Sequence, residues 1–321
     1  MPACLDSLLC QDYGNFEIIV VDDVSTDSSR QIAADYAKRY PDKLQLIVHE
    51  KNTRQGGARN TGIAAATGDY YLFIDSDDYI RADTLQVLLD EITQTGADIV
   101  EFPFELVSEV GQPLGSFSFS DRLGAQQGNA SKPLLISVMG PCNKAYRASL
   151  FVDETLRFPE NYFYEDYCLV PRLVLAANKV HYIHEPLYYY RQRTASTIRT
   201  TNADRNRDIM ACTDILLQYY RENGLSEAIF RQLEYLAVEQ VLLHATLRVF
   251  SVDPHSPILK ELKQYMSKNF PDHVQNPYKY ILSGRYQKLL GYIEKGNYTM
   301  LYLHWNLRNR ITGFLKGLLK K

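Results

Sequence analysis

No run of about 18 consecutive apolar residues occurs in the chain, so nothing in it reads as a membrane-spanning helix. The first residues lack a basic segment followed by an apolar one, so no secretory leader is expected. Cysteine is sparse: Cys4, Cys10, Cys142, Cys168 and Cys212 are odd in number and widely spaced, with no CxxC pair. That pattern excludes a disulfide framework and a zinc knuckle, and it fits reduced thiols in a cytoplasmic protein. Internal repeats and low-complexity tracts are also missing, which removes solenoids and disordered tails from consideration.

What is present is ordinary globular composition over 321 residues, 45% hydrophobic and 23% charged. The net charge of -3 hides an asymmetry. Residues 1–199 hold 18 Lys and Arg against 27 Asp and Glu, net -9, while residues 200–321 hold 17 against 11, net +6. The two parts are built to meet different partners.

From "FEIIVVDD" (16–23) onward, short apolar runs alternate with helical periodicity. "FEIIVVDD", "LQLIVHE", "YYLFID" and "DIVEFPF" read as strands, and "SSRQIAADYAKRY", "GGARNTGIAAATG" and "ADTLQVLLDEITQTG" as the helices between them. Unalternating strands separated by helices predict a largely parallel sheet covered on both faces, an α/β fold. Residues 105–140, rich in Gly, Ser and Gln, read as loops with a hairpin lying over the ligand crevice. "EDYCLVPRLVLAAN" reads as a helix despite Pro171, and "KVHYIHEPLYYYRQR" as extended chain. Beyond about residue 203 the pattern is helical, which divides the chain into residues 1–200 and 201–321.

In parallel α/β sheets ligands bind beyond the carboxyl ends of the strands. Two strands here end in acids: Asp22 and Asp23, then Asp75, Asp77 and Asp78 in "YYLFIDSDDYI". Close carboxylates repel unless a cation sits between them. Asp75 and Asp77 at a strand end suit one hard divalent cation, Mg²⁺ or Mn²⁺, held on a diphosphate with positions open for phosphate oxygens. Asp22 and Asp23 can serve a nucleobase N–H edge or ribose hydroxyls, or with Ser25, Thr26 and Asp27 form an elaborate helix cap. "NTRQGGARNTG" sets Arg54, Arg59 and paired glycines at a helix start, a modest anion-binding signal. His181 and His184 fall on opposite faces of one strand and read as structural.

"NFEIIVVDDVSTDSS", "NTRQGGARNTGIAAATGDYYLFIDSDD", "NKAYRASLF", "LRFPENYFYED" and "EPLYYYRQR" resemble, in order and spacing, the family 2 glycosyltransferases of bacterial surface polysaccharide synthesis. The resemblance covers about residues 3–200. It implies a GT-A fold with a nucleotide-sugar-binding domain, and inverting, metal-dependent transfer of a sugar from a nucleotide donor, UDP by preference, to a glycan or lipid-linked acceptor. By motif it implies Asp22 and Asp23 as base and ribose contacts, Arg59 and Asn60 as donor-site supports, and Asp75 on the ribose side. Asp77, joined by Asp75, would be the metal ligand. It implies Asp166 as the catalytic base with Glu165 as its companion; a helix cap is the plainer account of both. Arg191 and Arg193 fall where the family carries basic residues near the diphosphate, although alternation turns one of them away.

Two departures stand out. The family's first strand, of the type "SVIIPVYN", has no counterpart here, which makes an alternative available: a truncated relative acting as an assembly or binding partner. Val24 stands where the family loop often reads "DDGS", and because a β-branched residue disfavours positive φ, an altered turn is expected. At the other end, residues 300–321 form an amphipathic stripe with Arg308, Arg310, Lys316, Lys320 and Lys321 and no acid after Glu294. That pattern fits peripheral contact with the anionic inner face of the plasma membrane. Nothing in composition or motif points to nucleic acid.

Overall fold

The computed structural model describes residues 1–117, 133–137, 139–192 and 202–305. The chain divides into two compact units, Met1–Arg199 and Thr200–Lys321.

The first unit opens with α1 (Pro2–Leu9), whose proline occupies the first helical turn, where its missing N–H is not needed. Strand β1 (Ile18–Asp22) follows, then α2 (Ser29–Arg39), β2 (Leu44–Val48) and α3 (Arg54–Ala65). β1 and β2 pair in parallel with Ile18 opposite Leu44 and Asp22 opposite Val48. Leu5, Ile18, Tyr36 and Leu44 form the small core between this ladder, α1 and α2.

Next come β3 (Tyr70–Leu72), β4 (Tyr79–Ile80), α4 (Thr84–Thr95) and β5 (Ile99–Glu101). Gly96 ends α4 at φ 65°, a left-handed position where a side chain would be strained. The run "DIVEFPF" is broken around Pro103 into β5 and β6 (Phe104–Val107), because proline cannot donate to a ladder. β6 returns through a hairpin to β7 (Pro113–Phe117), as the glycine-rich stretch predicts. α5 (Pro133–Ile136), β8 (Lys144–Arg147), α6 (Glu165–Ala176), β9 (Val180–Tyr182) and β10 (Tyr188–Arg191) complete the unit.

Two four-stranded sheets result, in the orders β4-β10-β6-β7 and β3-β8-β5-β9. The mixture of parallel and antiparallel ladders is that of a GT-A fold. A core of Ile80, Leu88, Val100, Phe102, Ala145, Leu187 and Tyr188 ties the two sheets together.

Among the described residues no ladder joins β1 to β3. Helices α1 and α3 reach both: Leu5 packs with Ile18 and Cys4 Sγ lies 3.7 Å from the Asp75 carbonyl. On α3, Gly62 lies against Val21, while Arg59 meets Asp75. "YYLFID", which reads as a fully buried strand, is accordingly only half-buried along its length, because one edge of β3 is unpaired.

The second unit is helical: α7 (Asp208–Glu222), α8 (Glu227–Ala237), α9 (Thr246–Val252), α10 (Ile258–Asn269) and α11 (Gly284–Glu294). A π-helical stretch, Val238–Ala245, joins α8 to α9 without a break. Its core is built from Val241, Leu242, Leu262, Met266, Leu289 and Ile293, all fully buried.

Candidate active site

The acids of the third strand sit on a turn closed by the Asp78 N–H donating to the Asp75 carbonyl at 3.0 Å. Asp78 is the buried member, 2% exposed. It accepts from the Tyr188 hydroxyl at 2.7 Å and from the Arg191 N–H at 2.8 Å, so it bolts the turn to β10. Burial pushes its pKa up to about 7, with Asp77 and Asp75 adding to the effect against these two hydrogen bonds. Asp75 and Asp77 remain partly open to solvent. Arg191 has its guanidinium carbon 5.2 Å from the centre of the Tyr79 ring, beside the same turn. Arg193 lies outside the described residues.

Arg59, one helix away, joins this turn to the second acidic group. Its guanidinium donates to Asp75 Oδ1 at 3.0 Å and to Glu165 Oε1 at 2.6 Å, and it lies 5.3 Å from the Phe158 ring. Burial works against its charge, but Asp75, Glu165 and their neighbours hold it firmly protonated. The resemblance makes Arg59 a donor-site support; in the structure both of its arms are engaged by carboxylates. Asn60 is committed as well: its amide donates to the Phe158 carbonyl at 2.8 Å and its oxygen accepts from the Phe158 N–H at 3.0 Å. This two-point clasp holds the 158–164 loop against α3. Gly56 makes the approach possible, since a Cβ there would sit 2.5 Å from the Pro159 carbonyl oxygen.

That loop delivers Glu165 and Asp166 in the first turn of α6, where the helix N-terminus favours acids. Tyr164 caps the helix at φ 67°, and Asn161 three residues earlier stands at φ 64°. Asp166 is half-buried, and its Oδ1 accepts from the Tyr167 N–H at 2.7 Å. Its pKa is pushed up to about 6, first by burial and then by Glu165, while the Tyr167 N–H and Arg59 pull the other way. A carboxylate poised there is deprotonated at neutral pH and still basic enough to take a proton.

At the mouth of β1, Asp22 is 5% exposed and accepts from Arg30 Nε at 2.8 Å and the Ser25 N–H at 3.4 Å. Asp23 accepts from His49 Nδ1 at 2.8 Å, the Thr53 N–H at 2.8 Å and the Thr53 hydroxyl at 3.1 Å. Burial raises both carboxyls, but these hydrogen bonds outweigh it and hold both below the usual range. Val24 follows at φ 63°. The altered turn expected from a β-branched residue is therefore not what forms: the left-handed turn is kept and Val24 carries the strain, because the hydrogen bonds around Asp22 and Asp23 over-determine it.

Sequence reasoning missed His49, Thr53, Arg30 and Tyr188. Parallel register offered a signal for His49: Val48 pairs with Asp22, so the residue just past β2 arrives level with Asp23. Nothing local pointed to Tyr188, whose hydroxyl reaches Asp78 across 110 positions. His181 pairs with Glu91 at 2.9 Å, in keeping with its structural reading.

Among the described residues no three His, Cys, Asp or Glu side chains converge as a ready-made metal cage. The pair Asp75 and Asp77 does fit a hard divalent cation: its donors are carboxylate oxygens on one partly solvent-open turn, with Arg59 paired to Asp75 Oδ1.

Residues 1–153 match the family model described as glycosyl transferase family 2. The uncharacterized glycosyltransferase EpsJ of Bacillus subtilis is 30% identical over 279 residues, covering 82% of this chain and 78% of EpsJ. Glycosyltransferase GlyA of Streptococcus pneumoniae is 34% identical over 210 residues, 61% of this chain but only 29% of GlyA. The chain thus spans less than a third of that larger relative. The crystal structure of Staphylococcus aureus TarS residues 1–349, solved with UDP-GlcNAc, superposes with a TM-score of 0.62 at 23% identity over 96% of this chain and 87% of TarS 1–349. With the family model over residues 1–153 and a relative 30% identical across 82% of this chain, on a fold shared with TarS, the chain belongs to glycosyl transferase family 2.

Proposed function

We propose that the protein transfers a sugar, with inversion, from a UDP-linked donor to a glycan or lipid-linked acceptor of a bacterial surface polysaccharide. One observation carries this reading. Arg59 holds Asp75 and Glu165, which are remote in sequence, at the two ends of one guanidinium, so the donor-side acids and the acid pair of α6 form one site. The UDP-GlcNAc bound to TarS, on the same fold, supports the nucleotide assignment.

In this reading Asp75 and Asp77 would hold Mg²⁺ or Mn²⁺ at the diphosphate. The ion would supply charge neutralisation for the departing nucleotide. Arg191 faces the same diphosphate from β10. Asp166 takes the proton from the attacking hydroxyl of the acceptor, and the neighbouring charge of Glu165, held in place by Arg59, makes Asp166 a stronger base. Asp22 and Asp23 meet the ribose and base.

Release of UDP from a panel of UDP-sugars tests the proposal, with Mn²⁺ or with a chelator. The chelator and Asp77→Ala are expected to abolish turnover, and Asp166→Asn to lower kcat by about 10²–10⁴, the range for a lost general base. Since Asp166 must be unprotonated to act, wild-type turnover should fall as the pH drops through about 6. Equal background release by wild type and both variants would leave the chain as a binding partner only.

A further inference from the structure

The two carboxylate oxygens of Asp23 are not equivalent. Oδ1 takes three donors: the Thr53 N–H at 2.8 Å, the Thr53 hydroxyl at 3.1 Å and His49 Nδ1 at 2.8 Å. The His49 ring is itself fixed, with Nε2 2.8 Å from the Thr61 hydroxyl on α3. Asn52 anchors the main chain by donating to the Asp23 carbonyl at 2.9 Å. Oδ2 has no hydrogen-bond partner among the described residues, and the side chain keeps 16% of its surface exposed.

We propose that His49 and Thr53 make Asp23 a one-point acceptor, which selects a nucleobase presenting a single N–H on its pairing edge, uracil, and rejects guanine. The proposal rests on the reading that Asp23 meets the donor base. Guanine presents two parallel N–H groups, a fork that matches both oxygens of a free carboxylate. With Oδ1 already saturated, one of guanine's donors would be desolvated and left unpaired, which is costly in a half-buried site. Uracil needs only one oxygen. Its flanking carbonyl, which would be repelled by a bare Oδ1, meets instead an oxygen whose charge is already covered by three hydrogens. His49 is thus a positioning residue: it touches Asp23, not the ligand.

The two ring nitrogens can be tested separately. His49→Asn places an amide N–H where Nδ1 stands and keeps the bond to Asp23; His49→Gln reaches toward Nε2 and loses it. Binding of UDP and of GDP would be measured by calorimetry on the full chain. Wild type and His49→Asn are expected to favour UDP by at least about tenfold, the worth of one charge-assisted hydrogen bond. His49→Gln should bring the two affinities within about threefold of each other. Should His49→Gln fold poorly by melting, Thr53→Val removes a different donor from Oδ1 and should shift the ratio the same way. Asp23→Asn separates the two layers. If it leaves UDP affinity unchanged, Asp23 does not meet the base and the underlying reading fails. If it weakens UDP while His49→Gln and Thr53→Val keep full discrimination, only the role given to His49 and Thr53 is overturned. Equal affinity of wild type for UDP and GDP would also overturn it.

Discussion

Val24, Arg54, Asn161 and Tyr164 are the non-glycine residues with positive φ among those described, and all four border the candidate site. Val24 follows Asp22 and Asp23, while Tyr164 directly precedes Glu165 and Asp166. The Arg54 guanidinium lies 4.4 Å from the Phe163 ring and donates to the Asn161 carbonyl, so two strained segments brace each other. A left-handed β-branched residue is an outlier that persists only when its surroundings demand it. Val24→Gly should therefore stabilise the protein by about 1 kcal/mol, the cost of a Cβ in the left-handed region. A thermal melt would show this as a rise of about 2–4 °C in a chain of this size class. A fall would mean that the packing of the half-buried Val24 side chain outweighs the relief of strain.

Helix α3 is the element on which the site turns. Its Gly56 admits the 158–164 loop, Asn60 clasps Phe158, Arg59 reaches both acidic groups, and Thr61 fixes His49. "GGARNTG" reads in sequence as a modest phosphate-binding start. Its contacts also make it a structural keystone, because a short helix with small residues can lie close to two loops at once. Gly56→Ala would drive a Cβ to 2.5 Å from the Pro159 carbonyl oxygen and push the loop away. The expected outcome is a loss of about 1–3 kcal/mol, the usual cost of overpacking, measured by denaturant titration. Nucleotide release should fall along with it, because Glu165 would move off Arg59. Retained activity with unchanged stability would mean that the loop yields freely.

At the scale of the whole molecule, the first unit is net acidic and the second net basic. The last described turn, within 298–305, leaves Met300, Tyr302 and Leu303 at 40%, 50% and 55% exposure. The basic stripe that continues to Lys321 lies outside the described residues. We propose that this end of the chain contacts an anionic bilayer carrying the acceptor. Cosedimentation of the full chain with vesicles of anionic lipid should exceed that with neutral lipid and weaken with salt. Chains ending before residue 298 should lose it, and equal pelleting with either lipid would count against the contact. No described helix is long and apolar enough to cross a membrane.

Much of this was legible without coordinates. Strand and helix order, the hairpin after β6, the helix through Pro171 and the acids at strand ends follow from local periodicity and from motifs that each lie within about twenty residues. The sequence by itself determined the family and the helical second half, since those properties reside in short-range pattern and residue type. Only the tertiary structure decided which partners these acids take. The role of Asp78 in holding the loop is legible in the sequence, but its partner Tyr188 is not; Arg59 became a bridge between carboxylates and Asp23 a half-saturated acceptor through His49. Each of these depends on side chains from separate elements meeting at hydrogen-bond distance, and chain folding, not adjacency in sequence, sets that distance.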